Sequence, residues 1–571
     1  MIARSLLWLA SSFAQDSAAT IPLLDHQQLE AALTRVAAEH PELASIVPVG
    51  VSRGGRKIDA LRLAAGERKP GRPAILVVAN LDGPLVYTSG LALSIAQDLA
   101  ARYATDAAVK ALLDTSTLYF VARANPDGAQ ARFVSPLAEV RGTGFGIDDD
   151  RDGKSGEDAP ADVDGDGLVT SMRVPDPEGV WMPDPTDPRA LVQADKKKGE
   201  RGLFHLMPEG RDSDRDEKAG EDPLLDAVVN RNFPQGWAAH KAESGAFPTD
   251  EPEARALCDF VLTHKDIALV VTYGALDNLI EKPKSAKDDA PREKLVPAEG
   301  VMDSDAALLG EIGTRYQKLT KSKAKGDKSD AGTFQSWCYA QRGLWTLNIA
   351  PWSVPLDDAD AKGGAKSDAK PEEKGDAKPD EKKPEGDEKP KPSDDAKRLK
   401  WIDASGESAR FVPWKPFDHP ELGQVEIGGF APYALVEPPA AEGVRIAAAE
   451  REFVTTLGEL LARPRIVECT AKDLSGGLWQ IDAAIENPSF LPLQSASAKR
   501  SEIARPARVT LRLPQSGRIL AGNRQELASD LPGSGGRKEF RWLVHGASPS
   551  AMRVELDTNN AGTAEAIPEV K

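Results

Sequence analysis

Between Ala74 and Ala79 the chain is continuously apolar, and comparable β-rich runs recur at Thr117–Ala122, Ile267–Tyr273 and Leu344–Ile349. Unbroken runs, unlike alternating ones, predict strands covered on both faces. Amphipathic stretches separate or follow them at Thr88–Tyr103, Asp250–His264, Asp305–Leu319 and Arg445–Leu461. The order predicts an α/β fold, a mixed, mainly parallel sheet flanked by helices, with functional groups at the carboxyl ends of its strands. Upstream, Asp25–His40 predicts a helix: Asp25 caps it, Gln28 stands three residues later, and Leu29, Leu33 and Val36 share a face. Ile46–Val51 and Ile58–Leu63, with Gly54-Gly55 between them, predict a hairpin.

The pattern changes twice. Lys, Asp, Glu, Pro and Ala crowd residues 355–400, which read as a disordered insert because so little apolar surface cannot offset the entropy of ordering. After Pro464 the period becomes two at Leu478–Ile485, Ala507–Leu513 and Lys538–Val544, predicting a small C-terminal antiparallel β-sandwich over 466–571. Residues 21–465 then form the first domain. Residues 1–20, with Arg4 ahead of Leu6–Ala10 and small Ser12 and Ala14, read as a leader for export to the periplasm, the cell surface or the medium. No later run is long enough for a transmembrane span.

The net charge of −17 leaves no basic face for nucleic acid. Its three cysteines, Cys258, Cys338 and Cys469, are too widely spaced for a Cys-x-x-Cys metal motif. Acidic loops spanning 147–222 carry Asp at alternate positions: Asp148, Asp150 and Asp152; Asp162, Asp164 and Asp166; Asp212, Asp214 and Asp216. Gly153 and Gly167 follow the first two, and hard calcium ions take such oxygen sets, so those six aspartates are calcium candidates. Position twelve holds Ala159 and Arg173 rather than the glutamate of a complete EF-hand.

An ordered set of motifs carries more. Ala74–Asp82, Asn125-Pro126-Asp127-Gly128, Asn230-Arg231-Asn232-Phe233-Pro234, Glu251-Pro252-Glu253 and the late block Trp414–Gly429 together resemble the zinc carboxypeptidases of the carboxypeptidase A type, over residues 22 to 465. The resemblance implies a carboxypeptidase-like fold, a zinc ion held by His-x-x-Glu after one strand and a second His after a later one, and a glutamate base. Here those positions fall at Asp82, Leu85 and Val271, with the base position near Asn348. The chain has seven histidines, none between His40 and His205. His240 and Glu243 have the ligand spacing but follow the wrong motif. Zinc, expected for the family, therefore lacks its ligands, and the catalytic set reads as lost.

What the resemblance retains is Asn230 and Arg231, positions that bind a peptide's terminal carboxylate, with Tyr273 or Tyr339 lining the same cleft. The leading reading is an exported carboxypeptidase-like protein without zinc-route hydrolysis that keeps binding of a peptide or protein C-terminus. Two others stand beside it: an active metallocarboxypeptidase drawing ligands from elsewhere, and a calcium-ordered structural or interaction protein.

Overall fold

The computed structural model describes residues 20–66, 71–144, 159–211, 227–288, 300–327, 330–356, 391–503 and 505–571. Residues 1–19 of the expected leader, the loops of Asp148, Asp150, Asp152 and of Asp212, Asp214, Asp216, and residues 357–390 of the insert lie outside them.

Helix α1 (His26–Glu39) starts where the capping box predicts. The Asp25 carboxylate accepts from the Gln28 N–H at 2.8 Å, the Gln28 side chain accepts from the Asp25 N–H at 3.0 Å, and Leu29, Leu33 and Val36 are buried. Six strands follow: β1 (Ala44–Val51), β2 (Lys57–Leu63), β3 (Ala74–Ala79), β4 (Thr117–Val121), β5 (Ile267–Tyr273) and β6 (Trp345–Ile349). They form one sheet in the order β1-β2-β4-β3-β5-β6. The β1–β2 and β2–β4 pairs are antiparallel, and β4, β3, β5 and β6 run parallel. Interleaved with them are α2 (Tyr87–Arg102), α3 (Ala107–Thr115), α4 (Pro252–Thr263), α5 (Asp303–Thr320) and α6 (Phe334–Arg342); α7 (Asp394–Ser405) and α8 (Ala440–Leu460) come later.

Side chains alternate along each strand, so one sheet builds two cores. Ile75, Val77, Val271, Tyr273 and Leu347 pack against α1, α2, α3, α5 and α8. Leu76, Val78 and Val270 pack on the other face against α4 and α6. The predicted continuous apolar strands are those with both faces covered.

A second sheet, not expected from the sequence, lies beyond the first. It runs Phe411–His419, Gly423–Phe430, Ser171–Pro175, Phe204–Pro208, Trp181–Pro183, Leu191–Gln193, antiparallel throughout. The late Trp414–Gly429 block is its first hairpin. Arg173 pins the sheet, with its guanidinium 4.9 Å from the Phe204 ring, 4.7 Å from the Trp414 ring and 2.7 Å from Glu426. The expected disorder over 355–400 needs correction at its end, because α7 begins at Asp394. Ser393 caps it, and Ala396, Leu399 and Ile402 pack with Ala190 and Phe411. Charged neighbours hid this apolar face from a reading by composition.

From Arg465 onward, nine strands form a five-stranded and a four-stranded sheet enclosing Ile481, Val509, Trp542 and Val554. The three predicted strands are there, as Leu478–Asn487, Ala507–Arg512 and Gly536–His545.

A carboxyl sits against the first core. Glu450 of α8 accepts from the Tyr273 hydroxyl at 3.1 Å and from the Tyr316 hydroxyl at 2.6 Å. Burial pushes it up to about 7, while the two hydroxyls pull it down. A raised carboxyl stabilises the fold fully below its ordinary value and loses that contribution as pH rises through the folded value. Between pH 4 and pH 8.5 the wild type should lose roughly 3 kcal/mol that Glu450→Gln does not lose. Urea midpoints of both proteins at the two pH values measure it, and parallel curves would show that Glu450 does not titrate in this range.

Candidate functional site

The carboxyl end of β3 turns sharply. Asn80 adopts φ +52°, donating from its amide to the carbonyls of Asp82 at 3.0 Å and Gly83 at 3.2 Å. A Cβ on Gly83 would stand 2.6 Å from the Val140 carbonyl, so only glycine lets the two segments close here. The turn delivers Asp82 to the strand ends, where its Oδ2 accepts from the Ala275 N–H at 3.3 Å. The Asn230 amide lies 3.5 Å from both carboxylate oxygens. Burial pushes the Asp82 carboxyl above the usual carboxylate range, against the Ala275 N–H and the Arg231 charge, which pull it down.

Asn230 is buried, and its Oδ1 accepts from the Phe334 N–H at 3.1 Å, tying the strand ends to the first turn of α6. The next residue, Gln335, donates to the Thr272 hydroxyl at 3.2 Å, which donates to Asn348 at 3.3 Å. The Gln335 Oε1 is buried with no partner among the described residues. Two cavities near these groups share Asp327. One, of about 850 Å³, is floored by Gln335, Thr346 and Asn348. The other, of about 1020 Å³, opens toward the second sheet past Leu85, Gly274, Ala275 and Trp352.

Two expected positions move. Val271 faces the α8 side of β5 with Tyr273 and does not point toward Asp82. By the same alternation Thr272 faces the Asn230 side, and it is Gly274 whose Cβ would stand 3.1 Å from the Asp82 Oδ2. Tyr273 is therefore no cleft residue; its hydroxyl belongs to Glu450. Tyr339 lines the cavity beside Asn348, with its hydroxyl donating to Asp305 at 2.7 Å. Asp82 and Asn230 lie together, Asn348 is linked to them only through Thr272 and Gln335, and Arg231 is half-exposed near Asp82.

Zinc wants about three nitrogen, sulfur or carboxylate ligands and an open position. Around Asp82 the ligand positions offer an aliphatic Leu85, a side-chain-free Gly274 and the neutral amides of Asn230 and Asn348. This donor set does not fit a zinc ion. Among the described residues, the one group of three or more His, Cys, Asp or Glu side chains close enough to share an ion is Asp162, Asp164 and Asp166, with donor atoms within 4.8 Å of one another. Asp162 takes the N–H groups of Gly165, Asp166 and Gly167, and the buried Glu209 ties the loop down through Val163 and Thr170.

The remaining motifs hold loops. Asp127 accepts from Ser52, Gly54 and Arg56 at the turn of the β1–β2 hairpin. Arg53 of that turn forks onto Glu251 at 3.0 and 2.8 Å, and its N–H meets Glu253 at 3.0 Å. Glu209, Gln335 and Gly274 went unnoticed in the sequence, where no local signal marks them.

A zinc carboxypeptidase family model matches residues 29–153 and 210–352. This first domain belongs to the zinc carboxypeptidase family. Pig (Sus scrofa) carboxypeptidase A1 is 23% identical over 288 residues, covering 49% of this chain and 51% of that protein. Mouse (Mus musculus) carboxypeptidase D is 33% identical over 125 residues, 18% of this chain and 9% of that protein. The chain thus spans about half the length of the pig relative and a small part of the mouse one. The solved carboxypeptidase A of Helicoverpa armigera aligns over 58% of this chain and 65% of its own, with a TM-score of 0.34 at 16% identity. Residues 463–567 match a domain of unknown function (DUF8731).

Within the carboxypeptidase domain, Asn230-Arg231-Asn232 separates into residues with different work. Asn232 is buried and donates to Ser244, Phe247 and Asp250 while accepting from the Glu251 N–H. Asn232→Ala should cost about 3 kcal/mol of stability, since it orphans several buried partners. Arg231→Ala should cost within about 1 kcal/mol, as for a half-exposed side chain. Urea unfolding of both variants checks the split, and equal losses would contradict it.

Proposed function

We propose that the carboxypeptidase domain no longer hydrolyses peptides by the zinc route and instead binds a peptide or protein C-terminus, with Arg231 receiving the terminal carboxylate and the buried Asn230 holding the Asp82 side of the site. The observation that carries this reading is the pairing of Leu85 and Gly274 around Asp82: aliphatic and absent side chains stand where coordinating atoms are needed. The walls persist around them. A guanidinium fork matches a carboxylate in shape and charge, and the amide-floored cavity beside Asn348 gives the last side chain a polar place to enter.

The test combines metal content, cleavage and binding on the full chain. Purified protein should carry sub-stoichiometric zinc and release no C-terminal residue from a peptide panel. Peptides should bind, and either C-terminal amidation or Arg231→Ala should weaken binding by ~10- to 100-fold, the loss expected for a charge-assisted bond. Stoichiometric zinc with chelator-sensitive release would refute the loss of hydrolysis; unchanged affinity in Arg231→Ala would refute the carboxylate pocket.

A second reading is favoured by the Asp162 loop. Three carboxylates share a small volume, and burial pushes Asp164 above its ordinary range, with Asp166 and Asp162 adding to the rise. A calcium ion would relieve that repulsion and order the approach to the second sheet. The affinity expected of a weak oxygen site is about 10⁻⁴–10⁻³ M, as for extracellular modules, which suits the export proposed from Arg4 and Leu6–Ala10. Calcium should raise the melting temperature saturably where equal magnesium does not, and Asp164→Asn should remove the rise. A flat calcium titration removes the site.

A further inference from the structure

The seam between the carboxypeptidase domain and the C-terminal sandwich is closely bonded. Ser495 donates to the Gly343 carbonyl at 2.8 Å, and Ser497 to the Tyr339 carbonyl at 3.0 Å. Asn560 donates to the Ile267 carbonyl at 3.1 Å, and Asp305 accepts from the Ala496 N–H at 3.0 Å. A Cβ on Gly343 would stand 2.5 Å from the Ala498 Cβ, so the end of α6 presses directly on the short helix α9 (Ala496–Arg500).

Inside this seam is a cavity of about 260 Å³ whose charged walls are all basic. Lys265, Arg342 and Arg505 line it, His264 adds an imidazole, and no carboxylate does. Lys265 follows the end of α4, and Arg342 is in the last turn of α6. Cations at helix carboxyl ends have an ordinary explanation in the macrodipole, but each end carries only roughly −0.5 charge. Two ends offset about one of the three permanent cations and leave roughly two. The nearby Asp266 is not in the lining and takes the Tyr119 hydroxyl.

A second observation is independent of charge. Gln494 lines the cavity at 7% exposure, and among the described residues both its Oε1 and its Nε2 are buried without a partner; so is the Arg342 Nε. Leaving such groups unpaired is costly. Water could pair the amide but would supply no negative charge to a lining whose Lys265 and Arg505 are exposed and whose Arg342 is partly buried. An oxyanion that also carries a hydroxyl satisfies everything at once. Its oxygens take the guanidinium, ammonium and amide N–H groups, and its O–H donates to the Gln494 Oε1.

We propose that this seam is a binding site for a phosphate group, either the free hydrogen phosphate ion or a small phosphomonoester whose alcohol part carries the donating hydroxyl, which joins the two domains. The site is separate from the Asp82 region and does not depend on the peptide reading.

Full-length protein is titrated with inorganic phosphate, glycerol 3-phosphate and sulfate, each against sodium chloride of equal ionic strength, by calorimetry and thermal unfolding. Phosphate should bind saturably and raise the melting temperature with the logarithm of its concentration. Lys265→Gln and Arg342→Gln should each weaken binding by ~10-fold or more. Lys265 is exposed, so its variant keeps the test valid should the Arg342 variant not fold. Gln494→Glu supplies an anion from the chain itself, and should raise the melting temperature without phosphate while abolishing the response to it. Tighter binding of glycerol 3-phosphate identifies a monoester as the ligand, and preference for inorganic phosphate identifies the free ion. A response no larger than that to chloride, or sulfate binding as tightly as phosphate, overturns the assignment.

Discussion

A single buried amide joins the three segments from which the candidate site is made. Asn230 must accept from the Phe334 N–H and face the Asp82 carboxylate at the same time, and only a side chain holding both a carbonyl and an NH₂ group can do so. Through the first bond it fixes the start of α6, so that Gln335 reaches Thr272 and, through it, Asn348. Through the second it faces a carboxylate that burial would otherwise leave poorly compensated. The rest of the cleft geometry follows from these two contacts. It needs no metal to hold it, because every link is made by the chain.

The main sheet was legible because burial on both faces imposes a signature that no helix or loop shares at that length. Ala74–Ala79 and Ile267–Tyr273 are strands within a residue of expectation. The sandwich was legible for the opposite reason, its one-sided strands alternating. The second sheet was not legible. Its strands are three to nine residues long, and it pairs Ser171–Pro175 with Gly423–Phe430, some 250 positions downstream, so neither partner carries a complete pattern alone. Helix α7 was lost to composition, since Leu399 and Ile402 are surrounded by charge that describes only the solvent face.

The facing of the site residues was not legible. Motif spacing named Asp82, Asn230 and Asn348, and the chain joins Asp82 to Asn230 directly and Asn348 only through Thr272 and Gln335. It misplaced Val271 and Tyr273, since a shift of one residue along a strand exchanges the two faces of the sheet. That exchange gave a tyrosine to the cleft that in fact holds Glu450, and concealed Gly274, whose importance lies in the side chain it lacks. Contacts such as Glu209 beneath the Asp162 loop join distant segments through single side chains and leave no periodic trace.

The pattern of what remains in the family motifs has a physical order. Asn125 caps the turn after β4 and bonds the Gly142 carbonyl, Asp127 and Glu251 clamp the first hairpin, and Asn232 gathers a loop. Removing any of these would strand buried polar groups, at a cost comparable with a large share of a domain's net stability. Leu85 and Gly274 have no such duty. Leu85 packs in an apolar core, where an ionisable side chain would be penalised unless a cation neutralised it. Asp82 is different: Asn230, Arg231 and the Ala275 N–H offset part of the burial that pushes its carboxyl up.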